Sequence, residues 1–288
     1  MAHLDESAPT IAIFCDYENV AIGVRDAKFE VFDIELVAER LLDKGKIVVK
    51  KAYADWERYK AARRPLHEAS FELIEIPHLS YSGKNSADIR LVVDALDLCY
   101  TKGHVDVFAI VSGDSDFSPL VSKLRENNKQ VIGIGVKNSC SDLLIANCDE
   151  FIYYDDLVRE RAQTKKTGTR SPPTKPRERS KAKPKTAGAA QPPAASPPAD
   201  SPELEALKAE ALELVLDTVD ALFRERDTVW GSMVKQTLKR KRPSFSETFH
   251  GYRSFNELLE DAQARGQLEL EKDPKSGGYV IAGFGPKA

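Results

Sequence analysis

Apolar and polar positions along the chain fall into two alternating textures. Short runs such as Ile11-Ala-Ile-Phe-Cys15 and Val105 to Val111 are apolar throughout, as strands covered on both faces are. Lys46 to Tyr53, Phe71 to Ile76 and Gln130 to Val136 read as further strands, and Glu150 to Tyr154 as an edge strand. Between them lie stretches with helical spacing: Val31 to Leu42, Trp56 to Ala69, Asn85 to Lys102, Phe117 to Glu126 and Ser141 to Ala146. Repeated strand–helix alternation predicts an α/β fold, a parallel sheet covered by helices on both faces.

The pattern stops near Arg161. From Gln163 to Pro202 the chain is Lys, Arg, Pro, Ala, Ser and Thr, with almost no aliphatic or aromatic side chain. Such a segment cannot bury enough surface to offset chain entropy and is expected to be a disordered linker. Its first half is basic, from Lys165 to Lys185, and suits either a solvated tether or one that attracts phosphates. Helical spacing returns at Glu203–Arg226, Trp230–Arg240 and Ser254–Arg265. Gln267–Glu271 and Gly278–Ala282 then read as a two-stranded wing. Three helices and a β-ribbon predict a small winged helix-turn-helix domain. The expected division is residues 1–160, a linker at 161–202, and 203–288.

Overall composition changes this picture little, because a net charge of −3 hides a basic middle. No apolar run approaches the roughly 18 residues of a membrane span. No secretory signal is evident in Met1 to Thr10, so a cytoplasmic protein is expected. The four cysteines, Cys15, Cys99, Cys140 and Cys148, form no C-x-x-C pair, which argues against a zinc site; Cys15 and Cys99 read as reduced core residues.

The candidate chemistry lies just after the strands. In an open α/β sheet, sites form beyond the carboxyl ends of the strands. Asp16-Tyr17-Glu18-Asn19 follows the first strand, and Ser112-Gly113-Asp114-Ser115-Asp116 follows the one ending at Val111. The Asn85 helix opens at the same edge. On it Asp88 shares a stripe with Leu91, Val92, Ala95 and Cys99, whereas Asp94 lies about 120° away and suits pairing with Arg90. Asp16, Asp88, Asp114 and Asp116 together would repel one another unless a divalent cation sat among them, and oxygen ligands favour Mg²⁺ or Mn²⁺. Plainer roles stay open: Asp114 and Asp116 as helix caps, Asp16 as a turn residue, Asp88 as a complement to the helix dipole. Lys84 suits a phosphate contact or plain solvation. Gly133-x-Gly135 reads as a turn, and His67, His78 and His104 show no metal-ligand spacing.

The pattern Asp16-x-Glu18-Asn19, Lys84-x-x-x-Asp88 and Ser112-Gly-Asp-Ser-Asp-Phe117 resembles the NYN domain, a branch of the PIN-like nucleases, over about Ile11 to Asp156. That resemblance implies a Rossmann-like αβα fold and metal-dependent hydrolysis of RNA, or less often of DNA or small phosphoesters. It makes Asp16, Asp88, Asp114 and Asp116 the acidic metal site, Asn19 a polar neighbour orienting water or substrate, and Ser112 a support for the loop. The stretches Leu238 to Phe245, Gly251 to Leu259 and Gly278 to Ile281 resemble the LOTUS domain, also called OST-HTH, which implies RNA binding or, in some members, protein binding. Lys235, Lys239, Arg240, Lys241 and Arg242 form its densest basic patch and suit phosphate neutralisation or a helix C-terminus. Phe245, Phe249, Tyr252 and Phe255 read mostly as core. The expectation is a metal-dependent ribonuclease whose C-terminal module recruits substrate. The rival expectations are a catalytically silent RNA-binding adaptor and a protein-interaction scaffold.

Overall fold

The computed structural model describes residues 8–76, 86–167, 202–226, 228–273 and 277–287. Lys84, His78, the tip of the expected wing and residues 168–201 of the expected linker lie outside them. The first half runs β1 (Thr10–Asp16), α1 (Tyr17–Asp26), α2 (Ile34–Leu42), β2 (Lys46–Ala54), α3 (Lys60–Glu68), β3 (Glu72–Glu75), α4 (Ser86–Thr101) and β4 (Val107–Val111). It continues with a short 3₁₀ turn (Ser115–Phe117), α5 (Ser118–Glu126), β5 (Gln130–Gly135), α6 (Asp142–Asn147), β6 (Glu150–Tyr153) and α7 (Tyr154–Thr167).

The six strands form one sheet in the order β3-β2-β1-β4-β5-β6, and every pairing is parallel. Alternation along each strand divides the core in two. Ile11, Ile13 and Cys15 face one layer with Val20, Leu41 and Trp56. Ala12 and Phe14 face the other with Leu91, Phe108 and Leu124, where the Phe14 and Phe108 rings stack 6.0 Å apart. The chain moves outward from β1 to β3, then returns through α4 to β4 on the far side of β1. The order therefore reverses between β1 and β4, and the chain leaves their adjacent carboxyl ends toward opposite faces of the sheet, α1 onto one and α5 onto the other.

Several elements differ from the expectation. Helix α1 has no counterpart in the sequence reading. Helix α3 begins at Lys60 rather than Trp56, because Trp56 is a buried loop anchor whose indole N–H donates to the Ile74 carbonyl at 3.0 Å. Gly133 and Gly135, read as a turn, lie within β5. A Cβ on Gly133 would stand 2.4 Å from the Phe151 ring, so the glycine gives β6 room to pack. Helix α7 continues to Thr167. Cys15, Cys99 and Cys148 are buried and reduced, and Cys140 is half-buried.

The C-terminal part contains α8 (Pro202–Phe223), β7 (Val229–Trp230), α9 (Gly231–Lys241), α10 (Phe255–Ala264), β8 (Leu268–Lys272) and β9 (Tyr279–Phe284). The last two strands form the expected antiparallel pair, and β7 adds a short third strand, in the order β7-β9-β8. Phe245, Tyr252 and Phe255 are buried in this part's own core with Val215, Leu238 and Leu258. Among the described residues no helix is long and apolar enough to cross a membrane.

The two parts touch at the edge strand β6. The Phe151 N–H points outward and donates to the Pro243 carbonyl at 2.8 Å. Glu150 accepts from Lys44 at 2.7 Å and from Lys239 at 3.1 Å. Burial pushes the Glu150 carboxyl up, but the two ammonium groups outweigh it and hold it below its ordinary range. The Lys137 ammonium sits 3.9 Å from the centre of the Phe249 ring, a cation–π contact.

Candidate active site

The acidic residues lie beyond the carboxyl ends of β1 and β4. Asp16 closes β1 and is also the N-cap of α1, its Oδ1 accepting from the Asn19 N–H at 3.3 Å. It is only 5% exposed, because the strand that carries it is buried on both faces. Ser112, fully buried at the end of β4, reaches across. Its hydroxyl donates to Asp16 Oδ2 at 3.0 Å and accepts from the Asp114 N–H at 3.2 Å. One side chain thus ties the two acidic loops together. A second tie runs beside it, from the Gly113 N–H to Asn19 Oδ1 at 2.8 Å. Asn19 spends its carbonyl oxygen on this bond and has only its amide N–H groups left to offer a ligand.

Gly113 is required by space. An added Cβ would lie 2.3 Å from the Ser139 carbonyl oxygen, and the Gly113 carbonyl accepts from the Ser141 N–H at 2.9 Å. The acidic loop after β4 is thereby seated on the loop after β5. Asp114 caps the following 3₁₀ turn by accepting from the Asp116 N–H at 3.0 Å. Capping and clustering are therefore compatible: one carboxylate oxygen bonds the backbone and the other stays available.

Asp88 stands in the first turn of α4, half-buried, above Leu91, Ala95 and Cys99, which face the sheet. Its carboxyl is pushed up to about 6, by desolvation first and then by the charges of Asp114, Asp116 and Glu18. Asp16 is pushed up to about 7, chiefly by burial, with Asp88 and Asp114 adding to it and the Asn19 and Ser112 hydrogen bonds opposing it. The four aspartates named from the sequence thus share one electrostatic neighbourhood.

Asp94 belongs elsewhere. It accepts from Tyr53 at 3.0 Å and Arg90 at 3.0 Å and pairs with Lys51, contacts that overcome its burial and hold its carboxyl low. Glu18, quoted in the motif but given no role, lies near enough to raise Asp88, and its Oε1 accepts from the Asp55 N–H at 2.8 Å. Asp55, at the end of β2, was not singled out at all. Its position after a strand of the same parallel sheet was the signal for it.

In the C-terminal part, Lys235 pairs with Glu247 at 2.7 Å and Lys239 with Glu150. Arg240, Lys241 and Arg242 are exposed and form no ion pair among the described residues.

Among the described residues no three carboxylate, imidazole or thiol groups stand close enough to enclose a metal ion by themselves. The donor chemistry nevertheless fits a hard divalent cation. The oxygens are carboxylate oxygens, neighbouring negative charge adds to the raised proton affinity of Asp16 and Asp88, and Mg²⁺ commonly takes one or two carboxylates while keeping several waters.

Comparison with known proteins places this site in a family. The sequence profile of the NYN domain matches residues 10–155. An uncharacterised protein of Methanocaldococcus jannaschii is 30% identical over 141 residues, covering 46% of this chain and 54% of that protein. The meiosis regulator and mRNA stability factor 1 of Xenopus tropicalis is 22% identical over 157 residues, covering 54% of this chain and 9% of that protein. The match thus spans about half of the archaeal relative and under a tenth of the frog one. A solved structure, a Vibrio parahaemolyticus protein of unknown function, is 28% identical, with a TM-score of 0.48 over 54% of this chain and 98% of that one.

Proposed function

Since the chain belongs to the NYN domain family, a branch of the PIN-like nuclease superfamily, we propose that it is a metal-dependent ribonuclease. The observation that carries this reading is Asp16. A carboxylate 5% exposed, at a strand end, raised to about 7 and facing further carboxylates is costly to the fold and suits a cation-dependent site. Asp16, Asp88, Asp114 and Asp116 would hold Mg²⁺ or Mn²⁺. When bound, the cation supplies charge neutralisation and an activated water for phosphodiester hydrolysis. Ser112 fixes the Asp16 carboxylate, and the Asn19–Gly113 bond holds the two acidic loops in register. Support for RNA over DNA comes from the frog relative, whose name speaks of mRNA stability.

The C-terminal part reads as a winged helix of the LOTUS kind that recruits substrate. Arg240, Lys241 and Arg242 are its phosphate contacts. Lys235 and Lys239 already hold carboxylates, so they contribute less than their place in the basic run implies. Neutralising Arg240, Lys241 and Arg242 is expected to weaken RNA binding and flatten its salt dependence.

The test is cleavage of labelled single-stranded RNA, with DNA alongside, in Mn²⁺, Mg²⁺ or EDTA. Asp16→Asn and Asp114→Asn are each expected to lower the rate by at least about a hundredfold. Metal-dependent cutting lost in both variants supports the reading. RNA binding without cutting in any divalent metal would favour a silent adaptor.

A further inference from the structure

On the α1 side of the acidic residues the surface turns cationic. The turn after β2 is fastened to the site. Its Asp55 N–H donates to Glu18 at 2.8 Å, and the Tyr59 ring packs 5.3 Å from that of Tyr17, the residue next to Asp16. The turn is also fixed within itself. The Asp55 carbonyl accepts from the Arg58 N–H at 3.0 Å, the Asp55 carboxylate accepts from the Glu57 N–H at 3.1 Å, and Trp56 is buried. A well-held loop thus presents Arg58 to solvent beside the acids. Fold stability does not account for the charges here. Arg58, Lys60, Arg63 and Arg64 crowd the start of α3, where the helix dipole disfavours cations. The first turn of α3 holds no acidic residue, and no side chain caps it. Glu57 offsets Lys60 at 2.8 Å and Arg63 at 3.8 Å, and Glu68 offsets Arg64 at 2.8 Å. Arg58 is exposed and forms no ion pair among the described residues. Arg25, in the last turn of α1, has 76% of its side chain exposed and pairs at 3.5 Å with its exposed neighbour Asp26. Both arginines stand near the acids. Burial first, then Glu18, pushes the Tyr59 hydroxyl up; Arg58 and Arg25 oppose them, and Asp16 adds to the rise. One tyrosine therefore feels both groups of charge.

We propose that Arg58 and Arg25 form a phosphate-binding subsite for the nucleotide next to the scissile bond, so that the substrate strand leaves the acidic site over α1 and the start of α3. The proposal rests on the nuclease reading above and adds the path of the strand. The chemistry selects a phosphate. A cation held by the aspartates neutralises the phosphodiester being cut and no other. The flanking phosphates of the same strand meet Glu18, Asp55 and the remaining carboxylate charge, and need a positive partner of their own. A guanidinium binds a phosphate through paired N–H donors, and Arg58 gives up no ion pair among the described residues to do so. The turn that carries it is already tied to Glu18, so little backbone order has to be gained on binding.

The test measures binding of a short fluorescent single-stranded RNA to the full-length protein in calcium buffer, across a salt series from about 50 to 200 mM. Arg58→Ala and Arg25→Ala are each expected to weaken binding about three- to tenfold and to lower the slope of log affinity against log salt by about 0.7. Arg58→Lys keeps the charge, so it should keep the slope while losing part of the affinity with its paired donors. Lys102→Ala, on an exposed lysine just before β4 at the opposite edge of the sheet, should change neither. Melting temperatures of all four variants should stay at the wild-type value. Unchanged affinity and slope in both alanine variants, an equal loss in Lys102→Ala, or a slope lost as fully in Arg58→Lys as in Arg58→Ala would overturn the subsite. So would the absence of RNA binding by the wild type. Cleavage in Mn²⁺ is scored separately. A protein that cuts RNA while both alanine variants bind like wild type sinks the subsite alone. One that shows the expected binding losses without cutting sinks the nuclease reading alone.

Discussion

Asp16 is held in surroundings that favour its protonated form. An unfolded aspartate releases its proton near pH 4, whereas folded Asp16 keeps it to about 7. Through that window the native chain binds more protons than the unfolded one, so this residue's contribution to stability falls as pH rises from about 4 to 7. Asp88, raised to about 6, acts in the same direction over a narrower range. In EDTA, Asp16→Asn is therefore expected to raise stability at pH 8 by about 2–4 kcal/mol and to change it little at pH 4. Melting temperatures across pH check this, and a variant less stable than wild type at pH 8 contradicts it. Added Mn²⁺ should raise the wild-type melting temperature more at pH 8 than at pH 5, and should do so weakly in the variant, because the ligands must be deprotonated to bind.

Among the elements, the two acidic loops depend on backbone fit as much as on their carboxylates. Gly113→Ala would drive a methyl group into the Ser139 carbonyl, shifting the loop after β4 and breaking the Asn19 tie. Cleavage is expected to fall at least about tenfold, with stability lowered by about 1–3 kcal/mol. Loss of stability with unchanged activity would separate the loop from the chemistry. The strands and most helices were legible because their apolar periodicity is local. The shared edge of Asp16 and Asp114 was legible because parallel strands send their carboxyl ends the same way. Helix α1 was not, since its inward face is sparse: Tyr17, Val20, Gly23 and Val24. The place of Asp94 was only half legible. Arg90 is its helical neighbour, but Tyr53 and Lys51 come from β2, 41 and 43 residues away.

At the scale of the whole molecule, the two parts meet through charges placed on opposite sides of the linker sequence. Glu150, with 14% of its side chain exposed, lies between Lys44 and Lys239. Lys239→Ala leaves it with one partner and is expected to loosen the contact by about 1–2 kcal/mol. The sensitive probe is the Phe151 amide, which the Pro243 carbonyl protects. Its hydrogen exchange should quicken in the variant while amides of β1 and β4 stay slow, and unchanged exchange would show that the ion pair does not hold the parts together. That Pro243 bond has another implication. An outermost strand with free backbone donors is a template on which a second chain can add a strand. By laying its own backbone against β6, the C-terminal part acts as a guard against such pairing. A protein trimmed to the first sheet would keep its acidic residues yet gain a sticky margin on which further copies can pair.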